Sequence, residues 1–261
     1  MRILITNDDG MNAPGLVALE QAAQRIGGDV YVVAPEREQS AKSHAITIRH
    51  PVFAHRLPLT HGEVMRIAVS GTPCDCVRLA MIKLLKIKPD LVLSGINHGG
   101  NLGWNVFHSG TVSAAAEGHA FGVPSIAFSL ASWNSEVDWG GLDVLAAKLI
   151  KRLIAAKHSR PDWLYNVNLP PCPMNEISGV RLTRQNPMVK GDNFIEREAP
   201  DGRSYFWPVW DDVMAERERQ TDPEIDTVAI REKFISVTPM RYEVSNMDEP
   251  GVEAGLKDFE P

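Results

Sequence analysis

The sequence predicts an α/β protein whose mostly parallel sheet is flanked by helices, and three observations lead to this fold class. Residues 2–6 (RILIT) form a continuous apolar run, as expected of a strand buried on both faces. A helical pattern follows from Pro14, and a second apolar run lies at Val30–Val33. A strand, a helix and a strand in about 33 residues make a βαβ unit, which implies a parallel pair joined by a right-handed crossover.

The first helix is the clearest single element. Leu16, Leu19, Ala23 and Ile26 are spaced to lie on one face of a helix, and Gly27-Gly28 is typical of its end. The same reasoning predicts further strands at Ala45–Arg49, Val52–Leu57, Val64–Val69, Asp90–Leu93, Ser125–Phe128, Leu164–Asn168 and Phe234–Thr238. We expect Leu164–Asn168 to close the main sheet. Further helices are predicted at Cys76–Lys86, at Thr111–Phe121 and around Leu142–Leu153.

Composition narrows the class of protein. Of the 261 residues, 44% are hydrophobic and 23% are charged, which is typical of a globular protein and excludes a disordered, collagenous or coiled-coil chain. The net charge of −6 argues against binding a nucleic-acid polymer through a broad basic face. Three cysteines cannot make a disulfide framework, and neither a signal peptide nor a membrane helix is visible. We therefore expect a cytoplasmic protein that does not bind membranes.

The last part of the chain differs from the rest. We predict a domain at 1–185 and a charged C-terminal region at 186–261, because 16 of the 40 residues in 187–226 are charged. Trp207 and Trp210 lie among these charges. Two interpretations stand side by side: a solvated excursion of the fold, or an extended arm or hairpin that packs on another subunit with the tryptophans as anchors.

Asp8 and Asp9 are the first candidate functional residues. They follow the first strand, where ligands of open parallel sheets bind, and Gly10 permits the turn that would bring both carboxylates to one site. Two adjacent carboxylates repel each other unless a cation neutralises them. The alternative is that they cap a helix or a turn. An oxygen-rich site of this kind suits Mg²⁺ or Mn²⁺ better than zinc or copper.

Polar segments follow other predicted strands. They are Pro35–His44, the glycine-rich Ser94–Gly103, and Ser109-Gly110-Thr111 at the start of a helix. The free N–H groups of a helix start bind phosphate well, although ordinary capping by Ser109 or Thr111 would explain the same residues. Neither a G-x-G-x-x-G nor a P-loop pattern is present, which excludes the commonest dinucleotide and NTP sites.

The motifs together resemble the SurE family of metal-dependent 5′-nucleotidases. The resemblance rests on ILITNDDGMNAPGL (3–16), APEREQSAKSHAITI (34–48), SGTPCDCVRLA (70–80), PDLVLSGINHGGNLG (89–103), SGTVSAAAEG (109–118) and NVNLP (166–170). It implies a Rossmann-like domain with one divalent metal ion per subunit, held by Asp8, Asp9, Ser40 and Asn97. It also implies hydrolysis of nucleoside monophosphates, possible activity on short polyphosphate, and a C-terminal arm that forms dimers or tetramers.

A mechanism follows as a hypothesis. Asp8 or Asp9 orients or deprotonates the attacking water, while Asn101 and the Ser109-Gly110-Thr111 helix start hold the phosphate oxygens. His44 is a candidate donor to the phosphate or the leaving group. His108 stands where the family usually has tyrosine, which affects the expected substrate preference. The 3′-monophosphates, an exopolyphosphatase activity and a non-catalytic nucleotide or phosphate sensor remain open as alternatives.

Overall fold

A nine-stranded sheet organises the part of the chain that the computed structural model describes, namely residues 1–58, 64–134, 136–187, 193–209, 220–243 and 245. Its strands are β1 (Arg2–Thr6), β2 (Asp29–Pro35), β3 (Ala54–Arg56), β4 (Met65–Val69), β5 (Leu91–His98), β6 (Ser125–Leu130), β7 (Leu164–Leu169), β8 (Gly179–Leu182) and β11 (Phe234–Pro239). The spatial order is β3-β4-β2-β1-β5-β6-β7-β11-β8. The six strands from β4 to β7 are parallel, which confirms the predicted mostly parallel sheet.

Helices cover both faces of this sheet. The α-helices among the described residues are α1 (Pro14–Arg25), α2 (Pro73–Leu79), α3 (Gly110–Ala120), α4 (Leu142–Ala155) and α5 (Asp226–Arg231). Ile3 and Ile5 of β1 pack in the same core as α1 and α4, whereas Leu4 packs in the core that includes α2 and α3. Because successive side chains of a strand point to opposite faces, burial on both sides requires the continuous apolar run seen in the sequence.

Local signals explain where the helices begin. Pro14 opens α1, where its missing N–H costs nothing, and Gly27 follows the helix with a φ of +77°. Helix α2 begins before the predicted Cys76, because Thr72 and Asp75 form a capping box in which each side chain accepts from the other's backbone N–H. That S/T-x-x-D spacing is visible in the sequence.

One predicted strand is wrong. Ala45–Arg49 forms no strand, although its β-branched residues favour one. Thr47 instead donates its backbone N–H and its hydroxyl to the Asp75 carboxylate, over 2.9 and 2.6 Å. Ile46 and Ile48 remain exposed. The carboxylate at the start of α2 thus satisfies the segment without a strand partner.

One strand of the C-terminal region joins the main sheet, namely β11, as predicted for Phe234–Thr238. Leu164–Leu169 does not close the sheet, because β11 pairs antiparallel to it and β8 pairs parallel to β11. A separate antiparallel hairpin forms from β9 (Asn193–Glu198) and β10 (Ser204–Val209), which includes Trp207. Trp210 lies outside the described residues. No helix in the described part of the chain is long and apolar enough to cross a membrane.

The strand order fixes where a ligand can bind. From β1 the chain proceeds to β2 and β4 on one side, and from β5 to β6 and β7 on the other. The order therefore reverses between β1 and β5, and open α/β sheets bind ligands in the crevice outside the strand ends at such a point.

Candidate active site at the ends of β1 and β5

Asp8 and Asp9 lie at this reversal, immediately after β1. Asp8 is only 4% exposed, and the hydroxyl of Thr111 at the start of α3 donates to its carboxylate. The approach is close: a Cβ on Gly110 would lie 2.9 Å from the Asp8 Cβ. Asp9 is less buried and accepts a hydrogen bond of 3.0 Å from the backbone N–H of His98, at the end of β5. The two carboxylates thus join β1 to α3 and to β5.

The electrostatics of this pair are unfavourable without a cation. Burial raises the pKa of Asp8, although Thr111 counteracts part of the rise by donating to the carboxylate. Burial and the neighbouring Asp8 raise the pKa of Asp9 to about 7, with a smaller contribution from Glu38. Two carboxylates held together against these costs are typical of a functional site.

The Ser40 loop, residues 36–44, borders the pair on the β2 side. The backbone N–H of Gln39 donates to the Asp8 carbonyl over 2.7 Å, and the exposed Ser40 hydroxyl donates to Glu38 over 2.7 Å. Ala41 and Ser43 adopt positive φ angles of 57° and 54°. Such backbone strain in residues other than glycine is concentrated at functional sites.

Two further contacts attach the far end of the Ser40 loop. Ser43 donates its N–H to the His108 carbonyl over 3.1 Å and its hydroxyl to the Phe107 carbonyl over 2.6 Å. His108 itself is exposed on the helical turn Gly103–His108, which leads into α3. The loop is therefore attached to the start of α3 as well as to β1.

Asn97 lies on the β5 side of the pair. The pairing of β5 with β6 shifts register between Ser94 and Asn97, around Gly95, whose φ is +125°. A Cβ on Gly95 would lie 2.2 Å from the Phe128 carbonyl, so the chain needs glycine there. The Asn97 side-chain nitrogen donates to the Gly99 carbonyl over 2.7 Å. This bond uses the nitrogen of the amide, and the oxygen is the atom that a hard cation prefers.

The residues present fit a hard divalent cation. Asp8, Asp9, Ser40 and Asn97 offer two carboxylates, a hydroxyl and an amide oxygen, the donor set of Mg²⁺ or Mn²⁺. The raised pKa values of the two carboxylates support the same conclusion, because a bound cation would stabilise both in their charged form.

A second group of potential ligands lies beside the site. Ligand atoms of His44, Cys74 and Glu117 are within 4.8 Å of one another. Glu117, however, is paired with the Arg78 guanidinium at 2.9 Å, and burial raises the pKa of the Cys74 thiol, which opposes the thiolate that a metal needs. This cluster is therefore a poorer metal site than the oxygen-rich one.

The predicted phosphate-binding residues are distributed around the site. Ser109 caps its own helix by accepting from the Val112 N–H over 3.0 Å, and Thr111 donates to Asp8. The structure thus shows the capping role for Ser109. Gly110 brings the helix start against Asp8. Their contact with a phosphate stays a prediction.

His44 and Asn101 have protein partners of their own. His44 contacts the Glu117 carboxylate through Nε2 at 2.7 Å and the Tyr242 hydroxyl through Nδ1. The Asn101 side chain donates to Ser129 over 2.8 Å, and its backbone N–H donates to Asn168 over 2.9 Å.

Sequence reasoning missed residues that support the site. Glu38 accepts from Ser40 and raises the pKa of Asp9, yet it looked like one of several charges in a polar loop. Asn166 and Asn168 both donate to the Asn101 carbonyl, over 2.8 and 3.1 Å. Their spacing of two in a strand places both on one face, a signal that the sequence contained.

Comparison with known proteins gives consistent matches. A family model described as survival protein SurE matches residues 3–191. The 5′-nucleotidase SurE of Synechococcus elongatus is 44% identical over 250 residues, which cover 94% of this chain and 95% of that protein. The 5′-nucleotidase SurE of Carboxydothermus hydrogenoformans is 42% identical, over 94% of this chain and 92% of its own length.

A solved structure shows the same fold. The crystal structure of the SurE protein from Aquifex aeolicus matches with a TM-score of 0.83 and 32% sequence identity. The match covers 99% of this chain and all of that one.

Proposed function

This chain belongs to the SurE family and is a 5′-nucleotidase, and we propose that it hydrolyses nucleoside 5′-monophosphates with one divalent metal ion held by Asp8, Asp9, Ser40 and Asn97. The observation that carries the metal-dependent part is the pair of crowded carboxylates with raised pKa values at the reversal of the strand order. When bound, Mg²⁺ or Mn²⁺ would supply Lewis acidity to the phosphoryl group and acidify a water.

The chain's own residues would orient the reactants. Asp8 is fixed by Thr111 and serves as a rigid ligand, whereas the more accessible Asp9 can accept a hydrogen bond from the attacking water. A bound cation lowers the pKa of Asp9 below its metal-free value. Asp9 then orients the water rather than acting as a strong base.

The start of α3 would hold the phosphate. Gly110 and Thr111 lie at the positive end of the helix, which favours the charge that develops on the non-bridging oxygens. Asn101 adds a polar side chain from the loop after β5. His44 can reach a phosphate only by giving up Glu117 or Tyr242, so we expect it to contribute less than the helix start.

The test is phosphate release from 5′- and 3′-nucleoside monophosphates and short polyphosphate, with Mg²⁺, Mn²⁺ or EDTA. We expect turnover of 5′-monophosphates that EDTA abolishes and that Asp9→Asn lowers at least a hundredfold. The matched control is Asp29→Asn, which changes an exposed carboxylate at the end of β2 away from the candidate site, and this variant should keep its activity. EDTA-resistant turnover that survives Asp9→Asn would overturn the metal site.

The same panel separates the alternatives. Preference for chains over monophosphates would identify an exopolyphosphatase, and tight nucleotide binding without turnover under any metal would identify a sensor. We also propose a cytoplasmic location, in keeping with free Cys74, Cys76 and Cys172, and assembly into dimers or tetramers.

A further inference from the structure

Trp133 is an exposed aromatic side chain in the loop that follows β6. It is 71% exposed, although tryptophan is on average a highly buried residue. The six-membered ring of its indole packs on Gly99: a Cβ on Gly99 would lie 3.0 Å from Cζ3 and 3.2 Å from Cη2 of the ring. One part of the indole is thus supported by the backbone, and much of the rest faces solvent.

The loop that carries Trp133 is fixed against the loop after β5. The backbone N–H of Gly99 donates to the Leu130 carbonyl over 3.0 Å. The His98 imidazole contacts the Asn134 carbonyl through Nε2 at 2.7 Å. These contacts flank Trp133 on both sides in sequence, so the backbone that carries the indole is held in place before any ligand binds.

The two residues that contact the Trp133 loop, His98 and Gly99, also contact residues of the candidate active site. Gly99, on which the indole packs, accepts a hydrogen bond from the Asn97 side chain through its carbonyl. The backbone N–H of the preceding residue, His98, holds the Asp9 carboxylate at 3.0 Å. Trp133 therefore lies beside the metal ligands, at the edge of the same crevice.

We propose that the exposed part of the Trp133 indole is the surface on which the base of a nucleoside 5′-monophosphate stacks. This inference rests on the proposed function. In a nucleoside 5′-monophosphate a single ribose joins the phosphate to the base, so a phosphate bound near Asp9 and Asn97 keeps the base close to the same crevice. Stacking on an indole accepts every base, since each has a π face, and purines offer the larger overlap. The site thus binds purine monophosphates more tightly than pyrimidine ones.

A rival surface lies beside the Ser40 loop, where the Ser43 hydroxyl donates to the Phe107 carbonyl. Trp104 and Phe107 are also exposed, and they lie on the turn that precedes α3. Their ring centroids are 4.7 Å apart, so each ring already has an aromatic partner. Trp133 has no such ring partner among the described residues, which is why we assign the base to it.

The experiment compares substrates with and without a base. We would measure kcat/KM for adenosine 5′-monophosphate and for ribose 5-phosphate, with the full-length enzyme and saturating metal, in wild type, Trp133→Leu, Trp133→Phe and Trp104→Leu. The ratio of the two values should fall about tenfold in Trp133→Leu, the scale of one base–aromatic stack. Trp133→Phe should keep most of the ratio, and Trp104→Leu should leave it unchanged.

Inhibition by adenosine, which has the base but no phosphate, gives a second measurement. Its inhibition constant should rise about tenfold in Trp133→Leu and little in Trp133→Phe. General damage to the fold lowers activity on both substrates and leaves their ratio intact. A ratio that Trp133→Leu does not change, or that falls in Trp104→Leu instead, overturns the inference. Absence of any hydrolysis by the wild type would instead contradict the proposed function.

Discussion

Asp8 and Asp9 are neighbours in the chain but have different surroundings. Asp8 is buried against the start of α3 and accepts a hydrogen bond from the Thr111 hydroxyl. Asp9 is partly accessible, and in the described part of the chain its carboxylate accepts one hydrogen bond, from the backbone N–H of His98 in β5. At the scale of single residues, this difference separates the proposed fixed metal ligand, Asp8, from a carboxylate that can contact water, Asp9. It also makes the charge of Asp9 measurable in solution.

For the metal-free protein, we expect Asp9 to lower the free energy of unfolding as the pH rises from about 4 to about 7. The pKa of Asp9 in the folded chain is about 7, against about 3.9 for an unfolded aspartate. The folded state therefore binds more protons in this window and loses stability as they leave. We expect a loss of about 4 kcal/mol, measured by urea unfolding in the presence of EDTA.

Variants isolate this contribution from other titrating groups. Asp9→Asn should be more stable than the wild type at pH 8 and should approach it at pH 4, whereas Asp29→Asn should follow the wild type. Added Mn²⁺ should stabilise the wild type more than Asp9→Asn. A stability difference between wild type and Asp9→Asn that is the same at pH 5 and pH 8 would contradict the prediction.

The Ser40 loop shows how an element without regular structure is held in place. Gln39 attaches it to Asp8, Ser43 attaches it to the turn before α3, and His44 attaches it to Glu117 and Tyr242. The last of these links three parts of the chain, because Glu117 belongs to α3 and Tyr242 follows β11. The position of Ser40 therefore depends on contacts at both ends of the loop.

Removal of the outer attachment should weaken metal binding. We expect His44→Ala to lower the affinity for Mn²⁺ about tenfold, about 1.4 kcal/mol, because the loop loses two hydrogen bonds beyond Ser40. Tyr242→Phe removes one of the two and should have a smaller effect. Isothermal titration calorimetry measures both. The control is His50→Ala, which changes an exposed histidine outside the Ser40 loop, and wild-type affinity in His44→Ala would refute the role of this contact.

The same elements show what the sequence can and cannot predict. Strand β1 and helix α1 were predictable, because the spacing of their apolar residues and the helix boundaries at Pro14 and Gly27 depend only on neighbouring residues in the sequence. The grouping of Asp8, Asp9 and Asn97 was predictable as well, since parallel strands end at one edge. The attachment of His44 to Tyr242 was not predictable, because it joins residues 198 positions apart through two side chains.

At the scale of the whole molecule, three strands of the sheet (β5, β6 and β7) separate the first strand, β1, from β11 near the end of the described chain. Strand β1 is the fourth of the nine strands, and β11 and β8 extend the sheet beyond β7. Strand β8 is short and alternates exposed with half-buried residues, so its pairing with the distant β11 left no clear signal in the sequence. The hairpin of β9 and β10 is paired only within itself in the described chain.

This hairpin exposes apolar side chains on both faces. The pairing register places Phe206 opposite Glu196 and Trp207 opposite Ile195, so Phe206 and Trp207 point to opposite sides. Both are more than half exposed, at 56% and 60%. A two-stranded hairpin is marginally stable alone in water, which favours its coverage by another subunit.

We therefore expect the hairpin to hold together the dimer or tetramer proposed above. The double variant Phe206→Ser, Trp207→Ser removes one apolar anchor from each face and should lower the molar mass measured by light scattering to that of a smaller assembly. The pair Ile48→Ser, Phe53→Ser, which changes exposed apolar residues elsewhere, should leave the mass unchanged. Because Asp8, Asp9, Ser40 and Asn97 lie in one subunit, the smaller assembly should retain metal binding. An unchanged mass in the hairpin variant would show that assembly uses another surface.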